Sequence, residues 1–227
     1  MKDFVLKGHV CYSKSKIELI TQENAYVVCV NGKSKGVFSE LPQQYAELPF
    51  VDYGDRLVVP GMVDLHIHAP QYAFRGMCMD LELMDWLNRY TFPEEEKYAD
   101  LDYAEKAYSI FVNALQSGAT TRAVIFATRH RPATELLMGL MERSGLVSYV
   151  GKVNMDRNSP DILREESAEE ASKITEQWIL EAECFENVRQ ILTPRFIPSC
   201  SDEPDSCSLG LKLIFGTVTS DNSFRRV

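Results

Sequence analysis

Two histidines separated by one residue, His66 and His68, have the clearest chemical potential in this sequence. They follow an apolar segment that begins at Pro60-Gly61 and contains Asp64. Alternate side chains of a β-strand point to the same face, so two imidazoles at a strand end can reach one metal ion, and imidazole is a common ligand of Zn²⁺. A His-x-His pair alone is more often simply packed or solvated. The preceding Pro-Gly-x-x-Asp on a predicted strand favours the metal-binding interpretation.

The segments that must position this pair alternate between strand-like and helix-like patterns. Short apolar runs predict strands at residues 61–66, 119–126, 146–154 and 188–193. Helical periodicity and end signals predict helices at residues 80–90, 102–117, 133–144 and 168–185. This alternation is typical of parallel strands joined by helical crossovers. A barrel built in this way has its active site at the C-terminal strand ends, where His66 and His68 lie.

Residues 1–59 predict a separate, small antiparallel β unit. Apolar runs such as residues 25–30 indicate strands, and Asn31-Gly32 is typical of a two-residue hairpin turn between two of them.

Composition excludes several classes of function. The 24 basic and 33 acidic residues give a net charge of -9, and no Lys/Arg cluster could neutralise a phosphate backbone, so we expect no nucleic-acid partner. The six cysteines contain no Cys-x-x-Cys pair, which argues against a disulfide framework. No apolar run has the length of a membrane span and the N-terminus has no signal-peptide core, so we expect a cytoplasmic protein without a membrane partner.

Several blocks beyond the His-x-His segment narrow the interpretation to one family. They are His68-Ala69-Pro70-Gln71-Tyr72, Asp85-Trp86-Leu87 with Tyr90-Thr91-Phe92-Pro93, Phe126-Ala127-Thr128, Val150-Gly151-Lys152-Val153 with Met155-Asp156, and Thr193-Pro194-Arg195-Phe196. In order and spacing these blocks resemble the guanine deaminase family of zinc-dependent amidohydrolases, from about residue 1 to Glu203.

The resemblance implies an α/β fold in three parts. Residues 60–203 would form the first half of a (β/α)8 TIM-type barrel, and residues 1–59 a small antiparallel β-sandwich unit before it. Residues 204–227 lose the family character and predict a divergent tail, either frameshifted or disordered.

The resemblance also implies the reaction and the residues that serve it. The family hydrolyses guanine to xanthine and ammonia with Zn²⁺. His66 and His68 would be two zinc ligands, and Gln71 would form a hydrogen bond with the purine. The Arg195 guanidinium, with Phe196 beside it, would donate to the acceptor edge of guanine. An intact chain of this family would be a homodimer.

The expected proton-transfer groups have no matching position in this sequence. The family takes an acid/base glutamate and a late aspartate from later barrel strands, so the catalytic residues remain unknown. We expect His9 to be a strand residue and His130 a solvated loop residue, and neither to be a replacement ligand. Two alternatives therefore stay open. One is an inactive fragment or interaction-only product, and the other is a deaminase of another purine, a pterin or a triazine.

We expect the isolated 227-residue chain to be marginally stable or to aggregate. Four strand-helix units cannot close an eight-stranded barrel, so two apolar strand edges would stay open. Thermal unfolding followed by circular dichroism, together with light scattering, checks this. A sharp cooperative melt at high temperature from a soluble monomer would contradict it.

Overall fold

A computed structural model describes residues 3–181 and 185–201 of the chain. These residues divide into two compact units, and the division falls between Gly61 and Met62. The predicted tail at residues 204–227, and residues 182–184 of the predicted helix 168–185, lie outside the described residues.

The first unit contains one four-stranded sheet, formed by β1 (Phe4–Ser13), β2 (Leu19–Val30), β3 (Lys33–Phe38) and β4 (Phe50–Val58) in the order β3-β2-β1-β4. Asn31 and Gly32 connect β2 to β3 with φ angles of 54° and 70°. Two consecutive positive φ angles are the geometry of the tight hairpin turn that the sequence predicts.

The prediction of a purely antiparallel first unit is wrong, because β4 pairs in parallel with β1. β1, β2 and β3 are joined as antiparallel neighbours, and β3 ends at one edge of the sheet. The connection at residues 39–49 then carries the chain to the other edge, so β4 enters in the same direction as β1. The result is a mixed sheet, and it is the only sheet formed by the described residues of the first unit.

The second unit is built on a four-stranded, fully parallel sheet with the order β5-β6-β7-β9. Its strands are β5 (Met62–His68), β6 (Thr120–Phe126), β7 (Val147–Gly151) and β9 (Val188–Gln190). The short strands β8 (Val153–Asn154) and β10 (Thr193–Pro194) form a separate parallel pair. The α/β class and the parallel pairing therefore agree with the sequence prediction.

Helices connect these strands. They are α1 (Leu83–Trp86), a π-helical turn (Leu87–Thr91), α2 (Phe92–Glu96), α3 (Leu101–Ser117), α4 (Arg131–Ser144) and α5 (Ala168–Glu181). None of the helices in the described part of the chain is both long and apolar enough to cross a membrane.

The core of the second unit lies between the parallel sheet and α3, α4 and α5. α3 buries Ala104, Tyr108, Phe111, Val112 and Leu115, whose positions i, i+4, i+7, i+8 and i+11 form one helical face. Asp100 caps this helix, because its carboxylate accepts hydrogen bonds from the backbone N–H groups of Asp102 and Tyr103.

Gly151, at the end of β7, is packed too closely to accept a side chain. A Cβ added there would lie 2.2 Å from Thr193 Cγ2 and 2.7 Å from the carbonyl oxygen of Ile191. We expect Gly151→Ala to lower the free energy of unfolding by about 1–3 kcal/mol or more, because backbone and a β-branched side chain must both move.

Gly139→Ala is the matched control for this substitution. Gly139 lies inside α4, where an added Cβ meets only Arg143 Nη1 at 3.4 Å. We expect this variant to gain roughly 0.5–1 kcal/mol from helix propensity. Urea unfolding of the two variants and the unmodified chain measures both effects, and equal stability of the two variants would contradict the packing argument.

Candidate metal and substrate site

β5 brings the two predicted metal ligands together. The ring centroids of His66 and His68 are 5.0 Å apart, at an interplanar angle of 76°. The pairing of β5 with β6 shifts register between Asp64 and Ile67, which marks a bulge. Asp64 stabilises this bend by accepting a hydrogen bond from the His66 N–H at 3.0 Å. Bulges of this kind redirect side chains next to functional sites, and here the two imidazoles converge.

Phe126, the last residue of β6, completes the aromatic group at this strand end. It lies opposite His68 in the sheet register. Its ring stacks on His68 at 4.6 Å between centroids and meets His66 edge-on at 4.8 Å. Sequence reasoning assigned Phe126 no role, although its position at the end of the next parallel strand was a usable signal.

His68 has the properties of a neutral metal ligand. Burial, the nearby charge of Arg195 and His66 together lower the pKa of His68 to about 3. Its Nδ1 atom is buried without a hydrogen-bond partner. A neutral imidazole with an unpaired nitrogen is the form that coordinates Zn²⁺. The His66 and His68 side chains therefore fit a metal ion.

Two histidines alone do not complete a zinc site. Across residues 3–181 and 185–201, no group of three or more His, Cys, Asp or Glu side chains could hold a metal ion. Zinc sites in enzymes use three protein ligands and a water. The described residues thus provide a partial ligand set.

Arg195 is brought to the same region by β10, whose last residue precedes it. Its backbone N–H donates to the carbonyl oxygen of Asn154 at 3.2 Å. Its guanidinium contacts the carboxylate of Glu95 and lies over the ring of Phe92, with 5.1 Å between Cζ and the ring centroid. The charge of Arg195 contributes to the lowered pKa of His68, so the predicted substrate-binding residue lies close to a predicted metal ligand.

Gln71 and Phe196 are close to this region in sequence, because Gln71 follows His68 by three residues and Phe196 directly follows Arg195. Gln71 is half-buried in the 3-10 helix Ala69–Phe74, three residues after His68. Phe196 is half-buried, and its carbonyl oxygen accepts hydrogen bonds from the N–H and hydroxyl of Ser199. No hydrogen bond or ring contact in the described part of the chain joins either side chain to the histidine pair.

His130 is not the solvated loop residue that the sequence predicts. Its Nε2 atom is buried without a hydrogen-bond partner, and burial lowers the pKa of its imidazole to about 4. It lines a cavity of about 360 Å³, and none of the five predicted site residues lines that cavity. Residues from several elements line this cavity, among them Tyr98, Arg129, His130, Lys152, Glu165 and Ile174.

Comparison with known proteins identifies similar sequences and structures. The sequence profile of the amidohydrolase family matches residues 57–214. The chain is 41% identical over 155 residues to guanine deaminase of Dictyostelium discoideum, and 42% identical over 146 residues to guanine deaminase of Rattus norvegicus. The crystal structure of guanine deaminase from C. acetobutylicum with bound guanine superposes with a TM-score of 0.87 at 40% identity.

The matches cover most of this chain and a smaller share of its relatives. The alignments span 67% and 63% of this chain but only 34% and 32% of the Dictyostelium discoideum and Rattus norvegicus enzymes. The structural match covers 94% of this chain and 51% of the C. acetobutylicum chain. The chain therefore spans about a third to a half of the length of the relatives that it matches.

The lowered pKa of His68 predicts a pH dependence of stability in the metal-free chain. An unfolded histidine takes up its proton near pH 6.5, whereas folded His68 stays neutral down to about pH 3. Between these values the unfolded state binds more protons, so the free energy of unfolding decreases as the pH falls from 6.5 towards 3. Each pKa unit corresponds to about 1.4 kcal/mol, so the loss is on the order of a few kcal/mol.

Urea unfolding at several pH values, with a chelator present, measures this loss. His68→Gln should make the decrease smaller. An imidazole signal of His68 that titrates near pH 6.5 in the NMR spectrum of the folded chain would contradict the prediction.

Proposed function

Because the chain belongs to the amidohydrolase family, we propose that its second unit forms part of the active site of a zinc-dependent guanine deaminase. On this proposal the parallel sheet is the first half of the family's (β/α)8 barrel, and residues 1–59 belong to the flanking β-sandwich. The observation that carries the proposal is the grouping of His66, His68 and Arg195 at the C-terminal ends of parallel strands. Similarity to guanine deaminases at about 40% identity supports guanine as the substrate.

The reaction would be the hydrolysis of guanine to xanthine and ammonia. A new C–O bond forms at the ring carbon that carries the amino group, and the C–N bond to that group breaks. Zn²⁺, when bound, supplies a nucleophile at neutral pH by lowering the pKa of water to about 7.

The residues of this chain hold the metal and orient the ring. His66 and His68 would contribute two imidazole ligands, and Phe126 contacts both rings, stacked on His68 and edge-on to His66. Arg195 would donate to the carbonyl oxygen O6 and the ring nitrogen N7 of guanine, two acceptors on one edge of the base that match a guanidinium. Gln71 would form a further hydrogen bond with the purine. These contacts fix which ring carbon faces the metal.

The remaining parts of the proposal concern the whole protein. Proton transfer to the leaving amine needs an acid/base group that we assign to none of the described residues. A homodimer, a cytoplasmic location and the absence of membrane or nucleic-acid partners remain predictions. The activity test therefore uses the product of the encoding gene as the cell makes it, with xanthine followed by absorbance and ammonia by a coupled assay.

We expect that product to release xanthine and ammonia in equal amounts, and this chain to bind Zn²⁺ through His66 and His68. Each of His66→Ala and His68→Ala should lower zinc affinity at least tenfold, because one imidazole ligand is lost. His130→Ala is the control, since that side chain lines a cavity to which neither His66 nor His68 contributes. Equilibrium dialysis with metal analysis measures the affinity. A gene product that neither binds nor hydrolyses guanine would reject the proposed substrate.

A further inference from the structure

The guanidinium of Arg195 is held on one side by a buried carboxylate. Nη1 of Arg195 donates to both oxygens of Glu95, at 2.7 and 2.5 Å. The two side chains are only 4% and 1% exposed, although they are 100 residues apart in sequence. Within the described part of the chain, every hydrogen bond from this guanidinium goes to Glu95. One nitrogen of the guanidinium is therefore fully engaged by the protein itself.

The helical segment before α3 places two groups against Arg195. The π-helical turn Leu87–Thr91 leads directly into α2, and Phe92 and Glu95 are three residues apart in it. Residues with this spacing lie on the same helix face. The Phe92 ring lies beneath the guanidinium, and the Glu95 carboxylate accepts hydrogen bonds from Nη1 at the edge of the guanidinium. Both the plane and the rotation of the guanidinium are thereby restricted.

Phe92 and Glu95 are themselves fixed by burial. Phe92 is 3% exposed and belongs to a small apolar cluster. The members of that cluster are Leu87, Phe92, Val153, Met155 and Leu163, with Trp86 and Phe126 packed against it. Burial raises the pKa of the Glu95 carboxyl, and the charge and hydrogen bonds of Arg195 oppose that rise. The support for Arg195 therefore consists of residues that have little freedom of their own.

We propose that Glu95 is a positioning residue for substrate recognition: it occupies Nη1 of Arg195, so that the edge formed by Nε and Nη2 is the one that contacts the substrate ring. This inference rests on the proposed function, because it assigns Arg195 to guanine. Two parallel N–H groups on one edge match the carbonyl oxygen O6 and the acceptor nitrogen N7, which lie on the same edge of guanine. Without Glu95 the guanidinium can rotate, and the two donors no longer face those acceptors together.

Kinetics with two substrates test the positioning role in the gene product. Guanine carries the ring carbonyl that Arg195 would contact, and 2-aminopurine has the same amino group without that carbonyl. We expect Glu95→Gln to lower kcat/KM for guanine roughly 10- to 100-fold, mainly through KM, with a much smaller change for 2-aminopurine. The preference for guanine over 2-aminopurine then falls by nearly the same factor as kcat/KM for guanine. Glu95→Asp keeps the negative charge, so this variant should retain part of the preference for guanine.

Glu165→Gln is the matched control. Glu165 forms a second buried ion pair, with Lys152 at 2.5 Å and side-chain exposures of 6% and 2%, and among the described residues no hydrogen bond or ion pair joins Glu165 to Arg195. Loss of this pair should change the rates for guanine and 2-aminopurine by the same factor. If Glu95→Gln also lowers both rates equally, Glu95 has only a structural role and the proposal is overturned.

NMR of the arginine side chains tests the same inference without a substrate. In the gene product used for the kinetics, labelled with ¹⁵N-arginine, Arg195, assigned with an Arg195→Lys variant, should give separate Nη1 and Nη2 signals because rotation is hindered. In Glu95→Gln these signals should merge. Merged signals in the unmodified chain would overturn the positioning role. Separate signals in a protein that does not bind guanine would retain the positioning role and reject the proposed substrate.

Discussion

Parallel strand pairing is the constraint on which the site depends. In a parallel sheet the carboxyl ends of neighbouring strands meet at one edge. His68 lies opposite Phe126 on the next strand, and Phe126 lies opposite Gly151 on the one after. Groups up to 83 positions apart in sequence are thereby placed in one row. The helices α3, α4 and α5 hold this arrangement by burying one face each against the sheet.

The second constraint is the cost of burying charge. Two ion pairs, Arg195 with Glu95 and Lys152 with Glu165, are almost completely buried near this strand end. Such pairs contribute little to net stability, but removal of one partner leaves an expensive unpaired charge. Asn154 links the two pairs, because its amide donates to Glu165 and its carbonyl oxygen accepts from the Arg195 N–H. Each pair therefore mainly fixes the position of its own cation, Arg195 in one pair and Lys152 in the other.

Sequence patterns predicted the elements with strong periodicity and the residues with a local motif. α3 and the β2–β3 hairpin are confirmed, and the rings of His66 and His68 lie next to each other, whereas their role as metal ligands stays a prediction. The predicted strand 146–154 is interrupted at Lys152, whose side chain turns inward to pair with Glu165, and no local pattern signals that partner.

The predicted helix 80–90 also differs from the structure, because helical structure starts later and continues through Pro93 to Glu96. Proline is tolerated here since it lies in the first turn of α2. The roles of Phe92 and Glu95 could not be predicted, because they depend on a contact with Arg195 that spans 100 residues.

The buried carboxylate of Glu95 also bears on metal binding. Arg195 and a divalent ion held by His68 would repel each other, and the negative charge of Glu95 offsets that repulsion. The same contact that restricts the guanidinium thus allows the proposed metal ligand His68 and the proposed substrate-binding Arg195 to lie close together.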